Sequence, residues 1–113
     1  MADPEFDRTN YPELVSCMAL PAVDEVVSVE IADWDKNRVL VNTPVEAVTR
    51  INMPRISSEV PAYVREPFEA GIGLGLLACR IINRNEGVVS IDVPTTDGSM
   101  TLVVPFTRLA RRI

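Results

Sequence analysis

No histidine occurs in the 113 residues. That removes the commonest general base, the commonest transition-metal ligand and the phospho-accepting imidazole of a phosphorelay. Only two cysteines are present, Cys17 and Cys79. They are too few to staple a small secreted fold and lack metal-ligand spacing, so both are expected as reduced core thiols. Lysine occurs once, at Lys36. With no histidine and no Ser-x-x-Lys pattern, the plentiful serines and threonines form no hydrolase constellation, and the chain reads as leaning away from enzyme activity. No stretch approaches the roughly 18 apolar residues of a membrane span, and no signal peptide precedes the domain, so the cytoplasm is the expected compartment. Long basic runs are missing too, and a formal net charge of -5 gives counterion release little to act on. Neither nucleic acid nor membrane is expected as a partner.

What remains is a chain that should fold. Apolar residues make up 47% of it, more than a disordered sequence carries, and its length suits one domain and one core. Met1 to Phe6 reads as an expression-vector remnant and is set aside, leaving residues 7–113 as a single domain. Most carboxylates fall in residues 1–70, while Arg80, Arg84, Arg108, Arg111 and Arg112 make the last third basic, a contrast expected of solvated faces.

Tyr11 to Leu20 is apolar at irregular spacing and reads as either a short helix or a strand, closed by Pro21. Val26 to Ile31 alternates as a half-buried strand does. Arg38 to Arg50 has two readings: one kinked helix, or a strand over Arg38 to Val41 followed by a helix from Pro44 with Thr43 as its N-cap. Prolines 54, 61 and 67 describe an irregular connection. Ile72 to Ile82 is almost wholly apolar and closes near Gly87, which predicts a buried helix with a left-handed C-terminal cap. Val88 to Val93 and Met100 to Phe106, joined by Thr95 to Gly98, predict a hairpin. No internal repeat is visible. The expected fold is α/β, a two-layer sandwich of mostly antiparallel sheet with one or two helices on one face.

The hexad Gly71-Ile72-Gly73-Leu74-Gly75-Leu76 has a physical logic. Glycines let a backbone approach a phosphate, and a following helix presents free N–H groups. It fits neither the Rossmann spacing nor a P-loop. The hexad, the apolar run after it, Arg80, the Glu86-Gly87 stop, the hairpin and the upstream Glu66-Pro67-Phe68 together resemble the C-terminal half of the histidine-kinase-type (Bergerat-fold) ATPase domain. Asp35, Arg38 to Asn42 and Ala47-Val48 resemble that family's asparagine-bearing segment. The resemblance implies phosphate contacts from Gly71, Gly73 and Gly75, a nucleotide contact from Asn42, and Glu46 at the position of a magnesium ligand. No Asp-x-Gly-x-Gly adenine box exists, and every glycine lies at or beyond Gly71.

The expected function is therefore a non-catalytic regulatory or protein-binding module of a signalling or two-component assembly, resembling a degenerate ATPase domain and needing no cofactor. The alternatives are a nucleotide-binding domain using ATP with magnesium, and a structural homo-oligomeric assembly subunit. A protein partner or self-association is expected. Asp33, Asp35 and Glu46 read as surface carboxylates or caps, and Trp34 as a core or interface anchor.

Overall fold

Strict alternation through Val26–Ala32 buries Val27, Val29 and Ile31 and leaves Ser28 and Glu30 half-exposed, the period that makes a two-faced strand. In the computed structural model, which describes residues 6–51, 61, 63 and 72–110, this segment is strand β2. It follows β1 (Glu13–Ala19) and precedes β3 (Arg38–Pro44) and β4 (Val48–Arg50). The second half runs as β5 (Gly73–Asn85), β6 (Val88–Thr95), β7 (Gly98–Pro105) and β8 (Leu109–Ala110). Single turns of 3-10 helix, Val45–Ala47 and Phe106–Arg108, link β3 to β4 and β7 to β8.

Among the described residues all strand pairings are antiparallel, in the order β3-β2-β1-β5-β6-β7. One edge of β1 is given wholly to β5, from Glu13 opposite Cys79 to Ala19 opposite Gly73. Its other edge is shared: Leu14 and Val15 take β8, while Met18 and Ala19 take β2. Strand β5 is shared in the same way between β4 and β6. The sheet curls, and its concave face holds the core: Val15, Cys17, Val29, Ile31, Val41, Val48, Leu77, Cys79, Ile91, Val93 and Val104 among others. Fully burying each such branched side chain contributes about 1.5–3 kcal/mol.

These registers reveal an internal two-fold that the sequence reading missed. Shifting β1 and β2 by 62 positions (Leu14 to Leu76) gives β5 and β6, and shifting β3 to β4 by 61 (Pro44 to Pro105) gives β7 to β8. Met18 opposite Glu30 becomes Arg80 opposite Asp92, and Val26 opposite Pro44 becomes Val88 opposite Pro105. Val48 opposite Leu77 becomes Leu109 opposite Val15. The loop hydrogen bonds repeat as well. Val45 N–H donates to the Glu25 carbonyl at 3.0 Å, and Phe106 N–H to the Gly87 carbonyl at 2.9 Å. Trp34 N–H donates to the Val103 carbonyl at 2.9 Å, and Thr96 N–H to the Asn42 carbonyl at 3.0 Å. Pro44 and Pro105 share φ -59° and ψ 141°. The axis passes between Val15 and Leu77, which are opposite each other in the central ladder. Once aligned, Leu14, Cys17 and Val26-Val27-Ser28 are identical to Leu76, Cys79 and Val88-Val89-Ser90.

The α/β expectation is thereby corrected, since the described elements are strands and two single turns. The predicted helix over Ile72 to Ile82 is the first part of β5. A continuous apolar run does not by itself distinguish a buried helix from a strand, and here β1 and β4 pair with the two edges of the segment while Leu74 and Ile82 stay exposed. Gly87, at φ 71°, turns the β5–β6 hairpin where a helix cap was expected. Pro44 ends β3, and after one 3-10 turn the chain extends again as β4, so no helix spans Pro44 to Arg50. Tyr11 to Leu20 takes the strand option as β1. The expected irregular connection over prolines 54, 61 and 67 falls almost wholly outside the described residues.

Gly73 and Gly75 lie in β5, neither in the left-handed region. A Cβ on Gly73 would meet nothing within 4 Å, and one on Gly75 would lie 3.4 Å from the Thr49 carbonyl and 3.5 Å from Ala19 Cβ. A strand therefore tolerates alanine at both positions, where a phosphate turn would not. Gly73→Ala and Gly75→Ala are expected to change stability by less than about 1 kcal/mol in chemical denaturation. Gly75→Val, forced against the Thr49 carbonyl, is expected to cost about 1–3 kcal/mol.

Candidate functional site

Among the described residues, those singled out by the ATPase resemblance lie on separate strands and a 3-10 turn. Gly71 lies outside the described residues. Gly73 and Gly75 belong to β5, and Asn42 to β3, with β2 and β1 between them; three inter-strand steps amount to about 14 Å. Asn42 accepts a hydrogen bond from Ser28 Oγ at 2.7 Å. Glu46 is exposed in the first 3-10 turn, and among the described residues no three Cys, Asp or Glu side chains form a metal-binding group. The helix N-terminus that would have faced a phosphate is extended strand. Trp34, expected as a core or interface anchor, is 56% exposed in the β2–β3 loop. Its link to the core is main-chain, through the Val103 carbonyl.

Polar chemistry gathers instead on the convex face of the sheet, at two places related by the internal two-fold. In the second half Arg80, Asp92 and Thr101 stand side by side on β5, β6 and β7. Arg80 donates to Asp92 Oδ2 at 2.7 Å and Thr101 Oγ1 to Asp92 Oδ1 at 2.6 Å. With both oxygens engaged, the Thr101 hydroxyl and the Arg80 guanidinium hold the Asp92 carboxyl below the usual carboxylate range. This cluster is satisfied from within the chain.

In the first half the same three places are Met18, Glu30 and Leu40 on β1, β2 and β3. Methionine cannot donate, and leucine at the hydroxyl's place cannot either. Among the described residues the ion pair of Glu30 is with the Arg38 guanidinium, at 3.9 Å with the Arg38 side chain 78% and the Glu30 side chain 37% exposed, a geometry that contributes little. Around it opens a groove of about 670 Å³ lined by Met18, Leu20, Glu30, Arg38, Leu40, Leu74 and Arg108 among others. Leu40 is 60% exposed and Leu74 40%. In one copy the carboxylate is thus held by two donors of the chain, and in the other it lines an amphipathic groove, while exposed apolar side chains occur on both, Ile82 and Val103 in the first and Leu40 and Leu74 in the second. Sequence reasoning gave none of these residues a place in such a groove; Leu74, Arg38 and Leu40 entered it only within the segments resembling the ATPase domain. The alignment of Val26-Val27-Ser28 with Val88-Val89-Ser90 was the signal that would have set Glu30 against Asp92.

Cys17 and Cys79 are also counterparts, buried and outside any disulfide, as expected. Burial pushes the Cys17 thiol up to about 12, against a smaller opposing pull from Arg50. Such a thiol is no nucleophile at neutral pH.

Comparison with protein-family models, curated proteins and solved structures finds no match. The two-component signalling role had rested on the ATPase resemblance. With the helix replaced by β5 and no relative to support it, that role is withdrawn.

Two measurements follow from these groups. The folded pKa of Asp92 is lower than the unfolded one, so its contribution is complete above the ordinary carboxylate range and fades as pH falls through the folded value. Asp92→Asn is expected to lower stability by about 1 kcal/mol at neutral pH, with the difference from the parent narrowing in acid denaturation. Neither cysteine is expected to react with a thiol-titrating disulfide reagent in the native protein at neutral pH, and both should react in denaturant.

Proposed function

We propose that this domain is a non-catalytic protein-binding module that receives a partner segment in the groove between Leu40 and Leu74. The observation that carries this reading is the unequal treatment of two equivalent surfaces. At one the Asp92 carboxylate is held by Arg80 and Thr101, while at the other the Glu30 carboxylate lines a groove with exposed apolar side chains between charged rims. Binding surfaces take this form, apolar at the centre and polar at the edge. The complete lack of histidine and the protonated Cys17 thiol favour binding over catalysis. The cytoplasm fits two cysteines that form no disulfide, and among the described residues no helix is long and apolar enough to cross a membrane.

Selection from a displayed library of random peptides tests the reading. Peptides recovered on the native domain are expected to lose binding to Leu40→Asp and Leu74→Asp variants whose melting temperatures stay close to the parent's. Recovered peptides that bind both variants undiminished would place the partner surface elsewhere.

A further inference from the structure

We propose that the groove recognises a single cationic side chain, arginine above all, flanked by apolar residues, with Glu30 as its counter-ion. This inference rests on the protein-binding reading and adds the chemistry of the partner. The protein carries its own template for the contact. At the equivalent place in the second half, the carboxylate of Asp92 takes a guanidinium from Arg80 at 2.7 Å and a hydroxyl from Thr101 at 2.6 Å. The backbone frame is the same, because Met18 faces Glu30 in the register that sets Arg80 opposite Asp92. Glu30 thus occupies the acceptor's place in a site whose internal donor has been replaced by methionine.

Three further observations point to a cation from outside. The only ion pair recorded for Glu30 among the described residues is with Arg38, at 3.9 Å and largely in solvent, so a better placed donor can displace it. Met18, Leu40 and Leu74 supply apolar surface on which an arginine stem and its neighbours can lie. The chain's net charge of -5 draws cations towards the domain at long range. Arg38 and Arg108 also line the groove and oppose any incoming cation, so the contact depends on Glu30 exchanging Arg38 for the partner's guanidinium and on the apolar surface beside it, which excludes a basic run.

The test uses three end-blocked tripeptides, with arginine, norleucine or glutamate between two leucines, titrated into the whole chain while backbone amide resonances are followed. The arginine peptide is expected to shift the amides of Met18, Glu30 and Leu40 saturably and about tenfold more tightly than the norleucine peptide. Glu30→Gln should remove that advantage. Met18→Arg should abolish arginine-peptide binding, because the domain then supplies its own guanidinium as Arg80 does. Should Met18→Arg fail to fold, Glu30→Gln carries the test alone. An equal or tighter response to the glutamate peptide, or an arginine advantage that survives Glu30→Gln, overturns the cation assignment and leaves the groove standing as a binding surface. If none of the three peptides moves the groove amides, the cation assignment also falls, and the groove is judged separately by the Leu40→Asp and Leu74→Asp selection.

Discussion

The antiparallel ladder between β1 and β5 is the constraint on which the rest of the structure depends. It brings Val15 and Leu77 face to face on the two-fold axis, and both are fully buried. It also fixes where every other strand can go. Since β1 gives one whole edge to β5, only its other edge can receive β2 and β8, and the same holds for β5 with β6 and β4. Each half therefore hands its last strand to the first strand of the other half. A half alone would expose the inward face of its three longer strands and leave a central strand edge unpaired, a state that neither burial nor hydrogen bonding favours.

Two copies of one unit in a single chain are free to diverge wherever the core does not restrain them, and the differences are informative for that reason. Inward positions hold their character: Val27 with Val89, Val29 with Ile91, Ile31 with Val93. One inward exception is Thr43, whose counterpart is Val104. The Thr43 hydroxyl donates to the Pro94 carbonyl at 2.8 Å inside the core, so the polar group is satisfied where it is buried. On the outer face the copies part company, and a hydrogen-bonded triad in one becomes an open groove with a carboxylate in the other. Surface divergence over a retained core is how one architecture comes to carry a new site.

Much of the sheet was legible from pattern alone. The period-two alternation of Val26 to Ile31 and the turn at Thr95 to Gly98 gave β2 and the β6–β7 hairpin nearly in full. The glycine-rich run misled because its chemistry is ambiguous without neighbours: glycines followed by apolar residues suit a phosphate turn and helix, and equally a strand pressed between two others. The internal repeat escaped notice because most equivalent positions keep only class of residue, as in Glu30 and Asp92 or Leu20 and Ile82. A one-residue shortening in the second β-hairpin also breaks the single offset. Of the site, nothing was legible, because Met18, Glu30 and Leu40 become neighbours only across strands.

By itself, the sequence determined that no histidine enters the core, that both cysteines fall in apolar segments, and that alternating Val and Ile segments form strands, since residue burial and strand period are local properties. Only the tertiary structure decided that Ile72 to Ile82 is extended, because that depended on β1 and β4 standing on either side to take its hydrogen bonds. It alone also decided that one carboxylate is closed by an internal arginine and its counterpart is left in an open groove. Those contacts join residues across neighbouring strands, and no local property of the chain encodes which side chains a curled sheet will set against one another.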